Sequence, residues 1–153
     1  MQSFKIIKPI HILTPYVRYY WILEDGADVS VSERTLPTGC IQLVFHRGKR
    51  LLLVGKKESQ PQAFICGQCL NFSDVMSAGK IEMITVVFQP YAARAILQLP
   101  LKFFYGELIA VDAIEDLELS ILSRKVIEAD DHETCIRLIE QFLIHRLYRF
   151  EGY

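Results

Sequence analysis

The chain changes character once, at Gln89-Pro90. Before that point lie short segments rich in Val, Ile, Leu, Phe and Tyr, at 17–23, 29–36, 40–46, 50–54, 62–66 and 81–88. They are punctuated by Asp25-Gly26, Pro37-Thr38-Gly39, Arg47-Gly48, Gly55 and Ser77-Ala78-Gly79, the residue types that make hairpin turns and loops. After Pro90 the apolar residues recur at three- and four-residue intervals instead. Strands first and helices afterwards, without alternation, exclude a doubly wound parallel sheet. The expected class is α+β, with an antiparallel barrel or sandwich over about 5–89 and two or three helices over about 90–150, packed on one side. The pattern alone does not separate barrel from sandwich.

Three segments carry helical signals. Pro90 is suited to a helix start, and 91–98 runs through Ala, Arg, Ile and Leu until Pro100 forbids continuation. From Asp112 a second helix carries Ile114, Leu117, Ile121, Leu122 and Val126, with Asp112 and Glu115 spaced as a capping box. Asp130 and Glu133 repeat that spacing before Ile136, Ile139, Phe142, Leu143 and Leu147, which share one helical face.

A length of 153 residues suits one domain, and no boundary, repeat or low-complexity segment divides it. Seventeen basic and eighteen acidic residues leave a net charge of -1, without the basic face that neutralises phosphates, so these residues are not expected to hold DNA. The longest apolar runs, 51–54 and 84–88, fall far short of the roughly 20 residues that span a bilayer. The start, Met1-Gln2-Ser3-Phe4-Lys5, is unlike a secretory signal, and a cytoplasmic location is expected. In that compartment the four cysteines, at 40, 66, 69 and 135, stay reduced. Cys66 and Cys69 have the spacing of a redox pair or half a zinc site, but no second pair completes it, and no metal or cofactor is expected.

The sequence lacks the usual signatures of catalysis. A phosphate-binding loop is missing, since Asp74 stands where the first glycine would lie and a strand follows Gly79-Lys80. No serine has the flanking glycines of a nucleophile elbow. Glu115, Glu118, Asp130 and Asp131 read as helix-end and solvent-face charges. Histidines 11, 46, 132 and 145 lack the spacing of the metal-dependent cupin enzymes, leaving His46, at a strand end, as the one that could face a pocket. The chain is not expected to be an enzyme.

Three segments in order carry a resemblance. They are Tyr16-Val17-Arg18-Tyr19-Tyr20-Trp21 with Leu36-Pro37-Thr38-Gly39-Cys40-Ile41-Gln42-Leu43-Val44-Phe45, then Val86-Val87-Phe88-Gln89-Pro90-Tyr91-Ala92 with Pro100, and last Arg137-Leu138-Ile139-Glu140-Gln141-Phe142-Leu143. Together they resemble the N-terminal regulatory domain of AraC-type bacterial transcription regulators. The resemblance implies a cupin-like barrel that senses a small-molecule effector, contributes to a homodimer and signals to a C-terminal unit of two helix-turn-helix motifs. That unit, which would carry the DNA binding, is absent from these residues. Tyr19, Trp21, Gln42, Phe45 and His46 combine aromatic surface with polar groups and are the candidate pocket, although core packing is the ordinary role of Trp21 and Phe45. On the closing helix, Ile139, Phe142, Leu143 and Leu147 are the candidate dimerisation residues, with packing on the barrel as their ordinary role. The alternative function is a stand-alone cupin-like small-molecule-binding protein or enzyme.

Overall fold

A computed structural model describes residues 2–25, 32–34, 41–48, 52–53, 61–66, 74–76, 81–90, 92–98 and 109–151. Nine strands are defined there: β1 (Gln2–Ile7), β2 (Val17–Asp25), β3 (Ser32–Arg34), β4 (Gln42–His46), β5 (Leu52–Leu53), β6 (Ala63–Cys66), β7 (Asp74–Met76), β8 (Ile81–Phe88) and β9 (Ile109–Ala110). Three helices join them: α1 (Ala92–Leu97), α2 (Leu117–Glu128) and α3 (His132–Glu151). The turn at Pro37-Thr38-Gly39, Cys40, Cys69, Tyr91 and Pro100 lie outside the described residues.

The strands form a six-stranded sheet in the order β1-β2-β8-β4-β6-β9 and a three-stranded sheet in the order β3-β7-β5, all paired antiparallel. The larger sheet ends at β1 on one side and β9 on the other, and a barrel requires those ends to pair. The expected closed barrel is therefore corrected to an open sheet within an α+β fold. β8 lies at its centre because its run of Ile, Met, Val and Phe is apolar on both faces, as a strand covered on both sides must be. β1, β7 and β9 were not anticipated. β1 is an edge strand whose Ile6 is exposed, so it lacks the dense apolar run of an inner strand.

One face of the sheet carries the helices. Tyr20, Ile22, Leu43, Phe45, Ile65, Ile84, Val86 and Phe88 pack there with Ile96, Leu119, Leu122, Val126, Cys135, Ile139, Leu143 and Leu147 in one core. The helix starts differ from the capping boxes expected. Asp112 lies within a short 3-10 turn, Val111–Ala113, and the cap of α2 is Asp116, whose carboxylate accepts from Leu119 N at 3.1 Å. Asp131, not Asp130, caps α3, accepting from Thr134 N at 2.7 Å; hydrogen bonds from the Thr134 side chain and N–H hold its carboxyl below the ordinary range. Because α2 starts at Leu117, its buried stripe is Leu119, Leu122, Ser123 and Val126, while Leu117 and Ile121 point outward. α1 ends on Gln98 at φ 57°, a left-handed residue whose N–H reaches Arg94 O at 3.0 Å. No helix among the described residues is long and apolar enough to cross a membrane.

Candidate functional site

Side chains alternate across a strand, so each central strand of the large sheet serves two environments. Opposite the helices, one cross-strand row runs Ile6, Trp21, Thr85, Val44, Phe64, Ala110 through the six strands. Its exposure falls from 60% at Ile6 to 0% at Thr85, 3% at Val44 and 4% at Phe64. The adjoining rows place Tyr19, Val87, Gln42 and Cys66 on one side and Leu23, Met83 and His46 on the other. Val44, Phe64 and Met83 form a second small core there with Trp21, Leu23 and Cys66 against it. The His46 ring, fully buried, lies 5.8 Å from that of Phe64.

Of the five pocket candidates, Tyr19, Trp21, Gln42 and His46 share this face. Phe45 does not; it turns into the helix-covered core with no exposure. Thr85 was missed. Its Oγ1 is fully buried between Trp21 and Val44 and has no hydrogen-bond partner among the described residues. A buried hydroxyl without a partner costs about 1–3 kcal/mol, so a group that supplies one gains accordingly. The only hint in the sequence was one hydroxyl inside an otherwise apolar run.

The helix-covered face carries charge chemistry as well. The Tyr20 hydroxyl donates to Glu140 at 3.1 Å, and the same carboxylate oxygen accepts from Ile10 N at 2.8 Å. Burial, reinforced by the Glu140 charge, pushes the Tyr20 hydroxyl far above the usual tyrosine range, so it stays protonated as a donor. At the far end of β2, Glu24 and Glu82 are direct cross-strand partners. Like charges so placed repel. His132, the first residue of α3, sits between them with Nε2 at 2.7 Å from Glu82 Oε2 and 3.0 Å from Glu24 Oε1. Arg47 adds an ion pair to Glu82 at 3.2 Å, donates to Ala129 O, and approaches Cys135 Sγ at 2.9 Å. Burial raises the Cys135 thiol while Arg47 draws it the other way. A cleft of about 480 Å³ opens beside this cluster, between Lys5, Ile7 and Ile22 on the sheet and His132, Ile136, Arg137 and Glu140 on α3. Its residues come from three distant parts of the chain, and no sequence spacing announces them.

The four dimerisation candidates divide by burial. Ile139, Leu143 and Leu147 are consumed by the chain's own core. Phe142 is half-buried beneath the Arg146 guanidinium, 4.8 Å from its ring centre. Arg146 is itself only 3% exposed, donating to Leu97 O at 2.8 Å and to both oxygens of Asp116 at 2.6 and 2.7 Å. It thereby joins the end of α1, the cap of α2 and the later turns of α3. Among the described residues of α2 and α3, the large apolar side chains left exposed are instead Leu117, Ile121 and Tyr148.

A family model described as a domain of unknown function, DUF6597, matches residues 5–110. That span contains every strand from β2 to β9 and the whole buried row around Thr85. Neither the curated proteins nor the solved structures give a match.

Proposed function

The chain belongs to the DUF6597 family, and from that premise we propose that it is the effector-sensing and dimerising domain of an AraC-type transcription regulator. The family is known to occur in regulators of that type. The observation that carries the reading is Thr85: a buried, unpaired hydroxyl in the middle of a face that also holds Trp21, Phe64, His46 and Gln42. Aromatic surface with a few fixed polar groups is what a small-molecule site requires. The effector that suits it is a small, partly apolar molecule with a hydrogen-bond acceptor or hydroxyl placed for Thr85.

Signalling needs the effector to favour one arrangement of the domain over another. β2 provides the route. Trp21 touches the effector face while the adjacent Tyr20 is bonded to Glu140 of α3, so a shift of β2 alters the seating of the helix. α3 then passes the change to a C-terminal DNA-binding unit outside these residues. The domain acts in the cytoplasm, catalyses nothing itself, and pairs with a second copy through Leu117, Ile121 and Tyr148. The test is a thermal-shift screen of small metabolites, followed by titration of each hit against the emission of Trp21, the only tryptophan. Hits that stabilise the protein, perturb Trp21 and weaken in Thr85→Val support the reading; hits indifferent to both defeat it.

A further inference from the structure

We propose that Glu24, Glu82 and His132 form a binding site for a divalent transition-metal ion, of which zinc is the type, fastening the start of α3 to strands β2 and β8. The three residues each offer one ligand atom, and those atoms all lie within 4.8 Å of one another. A tetrahedral ion with ligands at about 2.0–2.1 Å holds them roughly 3.3 Å apart. The His132 Nε2 contacts, 2.7 and 3.0 Å, lie just inside that spacing. Small rotations of the two carboxylates about His132 bring all three ligand atoms to that spacing, and partial exposure of all three residues permits them.

Charge points the same way. Glu24 and Glu82 face each other across the strand pair, an arrangement unfavourable without a cation between them. Arg47 offsets one of the two negative charges through its contact with Glu82. With a neutral imidazole the cluster keeps one net negative charge for the ion. The partial positive charge at the start of α3 opposes a cation and weakens the site. The donor set selects the ion: one imidazole nitrogen and two carboxylates suit zinc or its first-row neighbours, whereas calcium and magnesium favour all-oxygen shells. On binding, the metal takes the place of the proton on His132 Nε2. An imidazole that is protonated beforehand releases that proton to solvent; a neutral one carries its remaining proton on Nδ1. Water completes the coordination from the side of the cleft.

The experiment is calorimetric titration of the metal-stripped protein with zinc chloride, and in parallel with cobalt chloride to record visible absorption. One equivalent is expected at micromolar affinity, with cobalt bands of a low-coordinate nitrogen and oxygen site. Binding should weaken at least about tenfold in Glu24→Gln and in His132→Ala. The exposed His145→Ala should bind as wild type does. Glu24 is half exposed, so Glu24→Gln keeps the test valid even where the His132 variant fails to fold. Absence of zinc binding below millimolar, equal affinity for magnesium, or zinc binding unchanged in Glu24→Gln each overturns the proposal, the last by placing the ion elsewhere.

Discussion

Tyr20 and Trp21 are adjacent in β2 and serve opposite sides of one sheet: the Tyr20 hydroxyl is bonded to Glu140 of α3 at 3.1 Å, while Trp21 packs beside Val44, Phe64 and Met83 on the other face. The alternation of a strand thus brings the candidate effector face and the closing helix within one peptide unit of each other. The chemistry of each side can be tested separately.

On the helix side, Tyr20→Phe should lower stability by about 1–2 kcal/mol, because it removes a hydrogen bond to a charged acceptor. The alkaline limb of the stability curve should change too. The folded state raises the Tyr20 hydroxyl, so its contribution is complete below about pH 10 and is lost as pH rises further, at up to roughly 1.4 kcal/mol per pH unit. Burial raises the Cys135 thiol in the same sense, which starts the decline near pH 9. Urea denaturation from pH 7 to 11 should show stability falling in the wild type and falling less steeply in Tyr20→Phe. Parallel curves would refute the assignment.

Arg146 is the strongest electrostatic fastening among the helices. Arg146→Ala leaves Asp116 without its buried partner, and we expect a loss of about 3–5 kcal/mol by chemical denaturation. Arg149→Ala, at an exposed pair with Glu118, should cost under about 1 kcal/mol. A similar cost for both would mean that the Asp116 pair is solvated.

Phe45 and Trp21 separate packing from recognition. Phe45→Ala opens the helix-covered core and should cost about 3–5 kcal/mol. Trp21 is only half-buried, so Trp21→Ala should cost less in stability and more in effector affinity. Equal losses of stability would make Trp21 a core residue like Phe45.

The same two residues show what was legible beforehand. Short apolar runs between turn residues located β2, β4, β6 and β8, Pro90 and Pro100 bracketed α1, and helical periodicity located α2 and α3, because burial on one face of a helix imposes that period. Parity along a strand is also legible, but which parity faces the helices is not, since Phe45 and Trp21 are equally apolar. Barrel closure was misjudged because it depends on whether β1 and β9 meet, and both are short or exposed edges without a strong pattern. The caps were displaced to Asp116 and Asp131 because several acidic residues precede each helix and only the backbone selects one. The cluster of Glu24, Glu82 and His132 was invisible, as register and helix docking alone bring it together.

Electrostatics give an expectation for DNA. Net charge is -1, Arg146 is buried on Asp116, and Arg149 is paired with Glu118 at 2.5 Å, so little of α3 is available to phosphates. Titration of a fluorescent duplex at low and moderate salt should give no saturable binding tighter than micromolar. Tight binding with a steep salt slope would place DNA contacts within these residues.

The most direct test of a sensing role joins the two faces of β2. For each small molecule that raises the melting temperature, hydrogen–deuterium exchange should be followed peptide by peptide, alongside the emission of Trp21. We expect altered Trp21 emission, increased protection in β2, β4 and β8, and a change in α3 that disappears in Tyr20→Phe while binding persists. A ligand that binds without touching Trp21, or that leaves α3 unchanged in the wild type, would contradict a sensor built on this sheet.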